Sequence, residues 1–418
     1  MKHSTTPLGL VFALGATSAA AQYNMPQSAP QQPMAPAPQS AQQPQKGITP
    51  SNKALKALME LQKAVTANDV ANIPAKLAAA QAVASTKEDR YLIGQLQLKA
   101  ALAAKDNAAM AAAIDQIANS GFVDTAMTGK LYASLGTTLY NAKQYDQAAA
   151  AFQKASAIDP RNGEALTLLG EARFAQGQKA EAATAFQRAV QVSLAAGQKP
   201  AEALLKRAVG VAYEAQSPLA IELGRQWAAS YPSPDSWRNA IAIYRNLSHP
   251  DVEGTLDLLG LMQATGALTT PGDYSLFATA AADQSNFNEA QAVVDAGVAA
   301  KVVNPSDPQF RDILVGLKGK PKATAADLEV AAKTATSGTA LLRIGDRYYG
   351  MGQYAKAAEL YRQSMGKPGV DAAIANLHIG MALARAGDKA GATAALNAVT
   401  GARAEIAKFW LAYVQQKA

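Results

Sequence analysis

The side chains that could carry out chemistry are few and scattered. Histidine, the residue most often used for acid–base catalysis near neutral pH, occurs only at His3, His249 and His378. Cysteine is absent, which excludes disulfide bonds, thiolate zinc sites and a cysteine nucleophile. No P-loop, G-x-S-x-G, H-E-x-x-H or dinucleotide-binding glycine motif occurs in its required context. Because catalysis needs several convergent polar groups, the sequence predicts a protein that is not an enzyme and uses neither a metal nor a cofactor.

Two of the histidines are expected to have structural roles. His249 precedes Pro250 in "LSHPD", which predicts a turn with a solvated or capping histidine. His378 is flanked by apolar residues in "NLHIGMAL", so its side chain is expected to face a core rather than a ligand.

Basic residues are concentrated around "GLKGKPK", where Asp307 and Asp312 dilute their charge. The sequence allows two interpretations: a solvated loop between structural units, or a contact with an anionic envelope surface or an acidic partner. The basic residues of this cluster are Lys301, Arg311, Lys318, Lys320 and Lys322.

The elements that must position these residues are predicted to be helices. Charged residues make up 17% and aromatic residues 6% of the 418-residue chain, whose formal net charge is +7, and alanine is abundant throughout. Alanine has the highest helix propensity, so this composition favours helices over sheets.

The first 21 residues have the pattern of an export signal. A basic start, "MKH", precedes the apolar residues 8–14, and small residues follow up to Ala21. This pattern predicts a secretory signal peptide cleaved between Ala21 and Gln22, and therefore a periplasmic or secreted protein. A buried N-terminal helix is the alternative interpretation.

Residues 22–50 are rich in proline and glutamine and have almost no side chains that could build a core. They are predicted to form a disordered linker, either as a spacer or as a proline-rich ligand for another protein. No later segment reaches the ~18 uninterrupted apolar residues of a membrane-spanning helix. A lipoprotein-type anchor would need a cysteine, so we expect an exported chain without an anchor.

Beyond the linker, the chain repeats itself with a period of 34 residues. Glycine inside a helix costs about 1 kcal/mol relative to alanine, so the recurrence of Gly136 as Gly170 needs a packing reason. We predict that Gly136 and Ala148 lie where two helices cross and that Phe152 fills the space between successive units. A single hairpin cannot bury such a surface, whereas stacked hairpins can. The repeated pairs are Leu135 and Leu169, Ala148 and Ala182, Phe152 and Phe186, and Ala155 and Ala189.

In these residues, together with Tyr132, Tyr140 and Pro160, the sequence resembles the tetratricopeptide repeat family. Further copies are carried by Gly345, Tyr348, Ala357 and Tyr361, by Gly380, Ala392 and Leu396, and by Gly210, Tyr213, Ala220 and Pro232. The resemblance implies an all-α fold, a right-handed α-solenoid of about ten stacked helical hairpins. In an array whose units contact only their neighbours, His249 and His378 would lie too far apart to share a metal.

A final helix with Ile406, Phe409, Trp410 and Tyr413 on one side is expected to cap the stack. The predicted organisation is a signal peptide (1–21), a linker (22–50), two divergent hairpins (51–128), two clear repeat units (129–196), divergent hairpins (197–337), two further clear units (338–401) and a capping helix (402–418).

The resemblance also implies a binding site. Members of this family hold peptides or helices on the concave surface formed by the first helix of each hairpin. Here that surface should contain the residues three before, one after and four after each repeat glycine, although each could also be an ordinary exposed position. The carboxylate clamp of some members is missing, because Ala133 and Thr137 occupy its first positions. The candidate binding residues are Tyr140, Asn141, Glu171, Phe174, Arg207, Glu214, Asp346, Tyr349 and Arg385.

The sequence therefore predicts an exported scaffold or adaptor that binds a protein or peptide partner of the cell envelope. The alternative is a glycan-binding component of envelope polysaccharide export or assembly, with groove tyrosines stacked on sugars. Peripheral contact with a membrane or glycan stays open, and a nucleic-acid partner is not expected for an exported protein.

Overall fold

The computed structural model describes residues 48–416, which form 21 α-helices, one short 3-10 helix and no β-strand. The predicted all-α fold of successive helical hairpins is confirmed. The predicted signal peptide (1–21) and residues 22–47 of the predicted linker lie outside the described residues. None of the described helices combines the length and the apolar character needed to cross a bilayer.

The described chain divides into two compact units. The first comprises residues 48–142 with residues 157–159, and the second comprises residues 143–156 with residues 160–416. The helices of the first unit are α1 (Asn52–Thr66), α2 (Ile73–Val83), α3 (Lys87–Ala104), α4 (Asn107–Asn119) and α5 (Thr125–Asn141).

In the first unit, Asp89 forms hydrogen bonds with residues at the N-termini of two helices. It is buried, and its carboxylate accepts hydrogen bonds from the backbone N–H groups of Ser51 (2.8 Å), Ser85 (2.9 Å) and Thr86 (3.1 Å). The hydroxyl of Ser51 donates a fourth, at 2.7 Å. Ser51 is the N-cap of α1 and Thr86 is the N-cap of α3. Burial by itself would raise the pKa of Asp89, but these donors hold it well below its usual range.

The second unit contains the remaining helices, except that residues 157 and 158 of α6 belong to the first unit. They are α6 (Tyr145–Ile158), α7 (Gly163–Ala175), α8 (Lys179–Ala195), α9 (Glu202–Glu214), α10 (Leu219–Ser230), α11 (Pro234–Ser248), α12 (Val252–Ala264), α13 (Pro271–Asp283), α14 (Phe287–Ala299), α15 (Pro308–Leu317), α16 (Ala325–Thr334), α17 (Gly338–Gly350), α18 (Tyr354–Ser364), α19 (Ala372–Ala386), α20 (Lys389–Asn397) and α21 (Ala404–Gln416), with the 3-10 turn Gly401–Arg403 before α21.

Repeat glycines mark close helix crossings in this unit, as the sequence predicts. A Cβ atom at Gly170 would lie 2.9 Å from the ring of Phe186, the large residue 16 positions later. Gly345 and Gly380 face Tyr361 and Leu396, also 16 positions later, just as closely. Glycine therefore allows the first helix of each of these hairpins to approach the second. In the first unit, Gly136 is buried within α5.

The predicted repeat register is wrong at Gly210. This glycine is exposed, and a Cβ atom there would have no atom of another element within 4 Å. Val209, one residue earlier, is buried instead. Gly210 lies ten residues before Ala220, whereas Gly170 lies twelve residues before Ala182, so an alignment that matches these residues does not align the packed faces.

The last helix, α21, packs onto α19 and α20 at the end of the stack, and it also packs back onto α10 and α12. Gln416 donates from Nε2 to the carbonyl oxygen of Ala228 at 2.9 Å and accepts on Oε1 from Nε1 of Trp237 at 3.3 Å. Trp410 donates from Nε1 to the carbonyl oxygen of Asp257 at 3.2 Å. Helices more than 150 residues apart in sequence thus share one core, and the second unit closes on itself. The four apolar residues predicted on one side of α21 are all buried: Ile406, Phe409, Trp410 and Tyr413.

Candidate functional site

Three of the predicted binding residues meet on the surface formed by α7 and α9. The guanidinium of Arg207 donates to both carboxylate oxygens of Glu171, from Nε at 2.9 Å and from Nη2 at 2.7 Å. The same guanidinium lies 4.2 Å from the ring centroid of Phe174. This bidentate, stacked arrangement holds all three side chains in a defined geometry.

The surface continues along α9 towards α11. Gly210 lies one helical turn after Arg207, and Tyr213 follows by another turn. The hydroxyl of Tyr213 accepts a hydrogen bond from Nδ2 of Asn246, on α11, at 3.1 Å. We call the surface formed by Glu171, Phe174, Arg207, Gly210 and Tyr213 the α7–α9 face.

The predicted residue Glu214 lies at the end of α9 and is exposed. Its carboxylate is 3.1 Å from Nζ of Lys179, the first residue of α8. Tyr140 and Asn141 are the last residues of α5 and belong to the first compact unit, with Tyr140 partly buried and Asn141 exposed.

The expectation that Tyr349 lines an open surface is wrong. Tyr349 is 8% exposed and packs edge-on against Tyr354, with ring centroids 5.1 Å apart. Burial raises the pKa of its phenol well above the usual value. A Cβ at Gly260, on α12, would lie 3.7 Å from the Tyr349 hydroxyl. A helix of the chain itself therefore covers the face of α17 that was predicted to bind a partner.

Arg385 and Asp346, the other predicted residues of this region, also contact other parts of the second unit. The guanidinium of Arg385 lies 4.6 Å from the ring centroid of Tyr354 and donates at 3.5 Å to Oε1 of Gln263, on α12. The carboxylate of Asp346 accepts a hydrogen bond from the hydroxyl of Tyr361 at 2.8 Å. Both residues are partly buried, as are Glu171, Phe174 and Arg207. The α7–α9 face differs in containing the exposed Gly210, whereas the other predicted surface contains the buried Tyr349.

His378 is buried as predicted, but it also binds two carboxylates that the sequence does not reveal. Its Nε2 lies 3.1 Å from Oδ1 of Asp257, on α12, and its Nδ1 lies 3.1 Å from Oδ1 of Asp346, on α17. Burial alone would lower the pKa of the imidazole, but the two carboxylates raise it well above its usual value. Each ring nitrogen of His378 thus faces a carboxylate oxygen, and the contacts join α12, α17 and α19.

Glu289 adds a fourth ionisable group to this interior cluster. Burial, together with the charges of Asp346 and Asp257, raises the pKa of Glu289 to about 8. Its Oε2 accepts a hydrogen bond from Nδ2 of Asn286 at 2.9 Å, and the same amide nitrogen donates to the carbonyl oxygen of Asp346 at 3.2 Å. The interior cluster, which we define as Asp257, Glu289, Asp346, Tyr361 and His378, thus connects α12, α14, α17, α18 and α19.

No group of three or more His, Asp or Glu side chains within residues 48–416 is arranged to hold a metal ion. His249 is the C-cap of α11, with a left-handed φ of 45°, so it lies in a turn as the sequence predicts.

Two parts of the chain, residues 134–203 and residues 342–413, match the family model of the tetratricopeptide repeat. Among curated proteins, none matches the chain.

Similar solved structures include PilF of Pseudomonas aeruginosa, with 11% identity, a TM-score of 0.24, and coverage of 63% of this chain and 97% of that one. The structure of Naa15/Naa10 bound to HypK-THB gives 12% identity, a TM-score of 0.27, and coverage of 76% and 63%. The apo form of RapI gives 13% identity, a TM-score of 0.24, and coverage of 75% and 96%.

Proposed function

We propose that this chain, which carries tetratricopeptide repeats, is an exported protein-interaction scaffold that holds a peptide or helix of an envelope partner on the α7–α9 face. Repeats of this family typically form non-enzymatic scaffolds. The interior histidine, engaged by two carboxylates, supports the view that the protein does not perform acid–base catalysis. Export rests on the signal-peptide pattern of residues 1–21.

The observation that carries this proposal is Gly210. A glycine in the interior of an exposed helix costs about 1 kcal/mol relative to alanine, and at Gly170 that cost is explained by the ring of Phe186. At Gly210 the packing of the helices does not require a glycine, since a Cβ atom there would meet nothing within 4 Å. The bare backbone instead leaves room for a partner to approach α9 closely.

The neighbouring residues fit the same role. Arginine and aromatic side chains dominate the binding energy of protein interfaces. Arg207 is already neutralised by Glu171, so a partner that covers it would not bury an uncompensated charge. Because Arg207 and Phe174 are held against each other before binding, little side-chain entropy would be lost when they are covered.

The same geometry favours a protein partner over a glycan. Stacking on a sugar needs an aromatic ring with a free face. Tyr349 is buried, and the guanidinium of Arg207 covers one face of Phe174. The glycan alternative thus loses an aromatic residue on which it depended.

The test is capture of partners from envelope extracts by the full-length protein carrying Phe174→Ala with Arg207→Ala, or carrying Gly210→Leu. We expect both variants to keep the helicity of the wild type and to lose the proteins that the wild type retains. Arg188→Ala, at an exposed position of α8, is the matched control and should retain them. Unchanged capture by both variants would show that the α7–α9 face is not the binding surface.

A further inference from the structure

A pocket of about 400 Å³ lies at the loop that joins α15 to α16, and three lysines contribute to its lining. Leu314, which is partly buried, and Leu317, which is 3% exposed, also line it, and the lysines are Lys318, Lys320 and Lys322. Of the basic cluster seen in the sequence, Arg311 and Lys301 do not line the pocket, and Arg311 lies 3.9 Å from Asp312.

The loop is held in a defined conformation by α14. Asn288 donates from Nδ2 to the carbonyl oxygen of Ala323 and accepts on Oδ1 from the N–H of the same residue, both at 3.1 Å. Gly319 has a φ of +79°, a conformation that suits glycine, and Pro321 restricts its own φ. The ammonium groups are therefore presented by an ordered backbone, which lowers the entropy lost when a ligand binds.

The positive charge of the pocket is not compensated from within. None of the three lysines forms a salt bridge with any carboxylate in the described part of the chain, whereas Lys179, Lys206 and Lys356, for example, each pair with a glutamate. Lys322 donates instead to the amide oxygen Oε1 of Gln291 at 3.2 Å, and Nζ of Lys320 lies 5.7 Å from the ring centroid of Phe287. Three cationic groups thus line the pocket, and none of them is paired with a carboxylate.

Each of the two helices that the loop connects also has an exposed valine. Val315, on α15, is 66% exposed, and Val330, on α16, is 64% exposed. Both are among the most exposed large apolar side chains of residues 48–416.

We propose that this lysine pocket binds an acidic segment of a partner protein in which carboxylates alternate with large apolar residues. The carboxylates pair with Lys318, Lys320 and Lys322, and an apolar side chain packs against Leu314, the partly buried leucine of the lining. A peptide can bring both acidic and apolar side chains to the pocket, whereas the headgroup layer of an anionic membrane presents only charge. This surface is distinct from the α7–α9 face, and the proposal does not depend on it.

The experiment measures the fluorescence anisotropy of a labelled peptide, GDELDEFEDG, titrated with the full-length protein. We expect saturable binding that weakens as salt is added, because the pairs lie at the surface. Substituting Lys318, Lys320 and Lys322 together by glutamine should weaken binding about tenfold, since each exposed ion pair contributes up to about 1 kcal/mol. The matched control removes the same charge from exposed positions elsewhere, with Lys53, Lys130 and Lys389 changed to glutamine, and should bind as the wild type does.

Two further peptides separate the contributions of charge and of apolar contact, and one vesicle assay tests for binding to a membrane. GQNLQNFQNG, which lacks the charges, should not bind, and GDESDESEDG, which lacks the apolar residues, should bind several-fold more weakly than the first peptide. Equal binding of GDELDEFEDG and GDESDESEDG would overturn the proposal, because the apolar lining would then play no part. So would an unchanged affinity in the pocket triple variant. Lysine-dependent binding to phosphatidylglycerol vesicles without lysine-dependent binding of the peptide would identify a membrane contact instead and would likewise overturn it.

Discussion

Two glycines of the repeat region differ in what a side chain at their position would contact. At Gly170 a side chain would collide with the ring of Phe186, whereas at Gly210 it would point into open space. The sequence predicts the first correctly, because a large residue follows 16 positions later in register. It fails at the second, because the interval from Gly210 to Ala220 is two residues shorter than in the clear repeats, and Val209 rather than Gly210 lies in the packed face.

This difference gives a matched pair of predictions. Gly170→Ala should lower the free energy of unfolding by about 1–3 kcal/mol, since Phe186 must move to admit the methyl group. Gly210→Ala should raise it by about 1 kcal/mol, because alanine is the better helix former and meets no obstacle. Urea denaturation followed by circular dichroism measures both, and destabilisation by Gly210→Ala would mean that this position is packed after all.

Glu289 is expected to make the stability of the second unit depend on pH. Its pKa is raised to about 8 in the folded protein from an ordinary value of 4.5, so the folded state holds the proton more tightly than the unfolded state does. The stabilisation that Glu289 gives the folded state by holding this proton is therefore complete below the ordinary pKa and is lost as the pH rises through about 8. Because His378 also has a raised pKa, its contribution is lost in the same direction.

Glu289→Gln should make the free energy of unfolding fall less steeply between about pH 5 and about pH 8 than it does in the wild type. Denaturation curves at a series of pH values provide the measurement. Glu164→Gln, at an exposed position of α7, serves as the control and should leave the slope unchanged. If Glu289→Gln follows the wild-type curve, the carboxyl group is not buried near Asp346 and Asp257.

At the scale of the element, α12 shows how one side of a helix can contact several parts of the chain that are distant in sequence. Residues three apart on α12 contact helices that lie far away in sequence: Gly254 approaches Arg403, Asp257 contacts His378, Gly260 approaches Tyr349, and Gln263 accepts from Arg385. Small and polar residues on one side, with leucines on the other, could be recognised from the sequence. Which helices they would meet could not, since helical periodicity reports a buried face and not the identity of its partner.

The pair formed by His378 and Asp257 is expected to stabilise this packing only as a pair. His378→Leu leaves Asp257, which is 3% exposed, without its partner, and should lower the free energy of unfolding by about 3–5 kcal/mol. The double variant His378→Leu with Asp257→Leu removes the unpaired charge and should recover part of that loss. Chemical denaturation of the two variants checks this. Equal loss in both would show that shape, rather than charge, determines the stability here.

At the scale of the whole molecule, the second compact unit departs from the linear array that the repeats suggest. The sequence predicts the hairpins and the buried side of α21, because both depend on local spacing. It does not predict that Trp410 meets Asp257 or that Gln416 meets Trp237, because such contacts depend on how curvature accumulates over many hairpins. For the same reason, the sequence wrongly predicts an open binding surface at Tyr349.

Removal of residues 402–418 distinguishes closure of the second unit from a simple end cap. In a linear array, loss of the terminal helix would expose only its neighbours α19 and α20, since each repeat contacts only the next. Here α21 also covers α10 and α12, with Phe409 and Trp410 fully buried. We therefore expect the truncated chain to lose amide protection in α10 and α12 as well as in α19 and α20, measured by hydrogen–deuterium exchange with mass spectrometry. Protection in α7 and α8, which pack chiefly on each other and on α9, should change least and is the internal control. If the loss were confined to α19 and α20, α21 would be a cap on the last repeat and the second unit would not be closed by it.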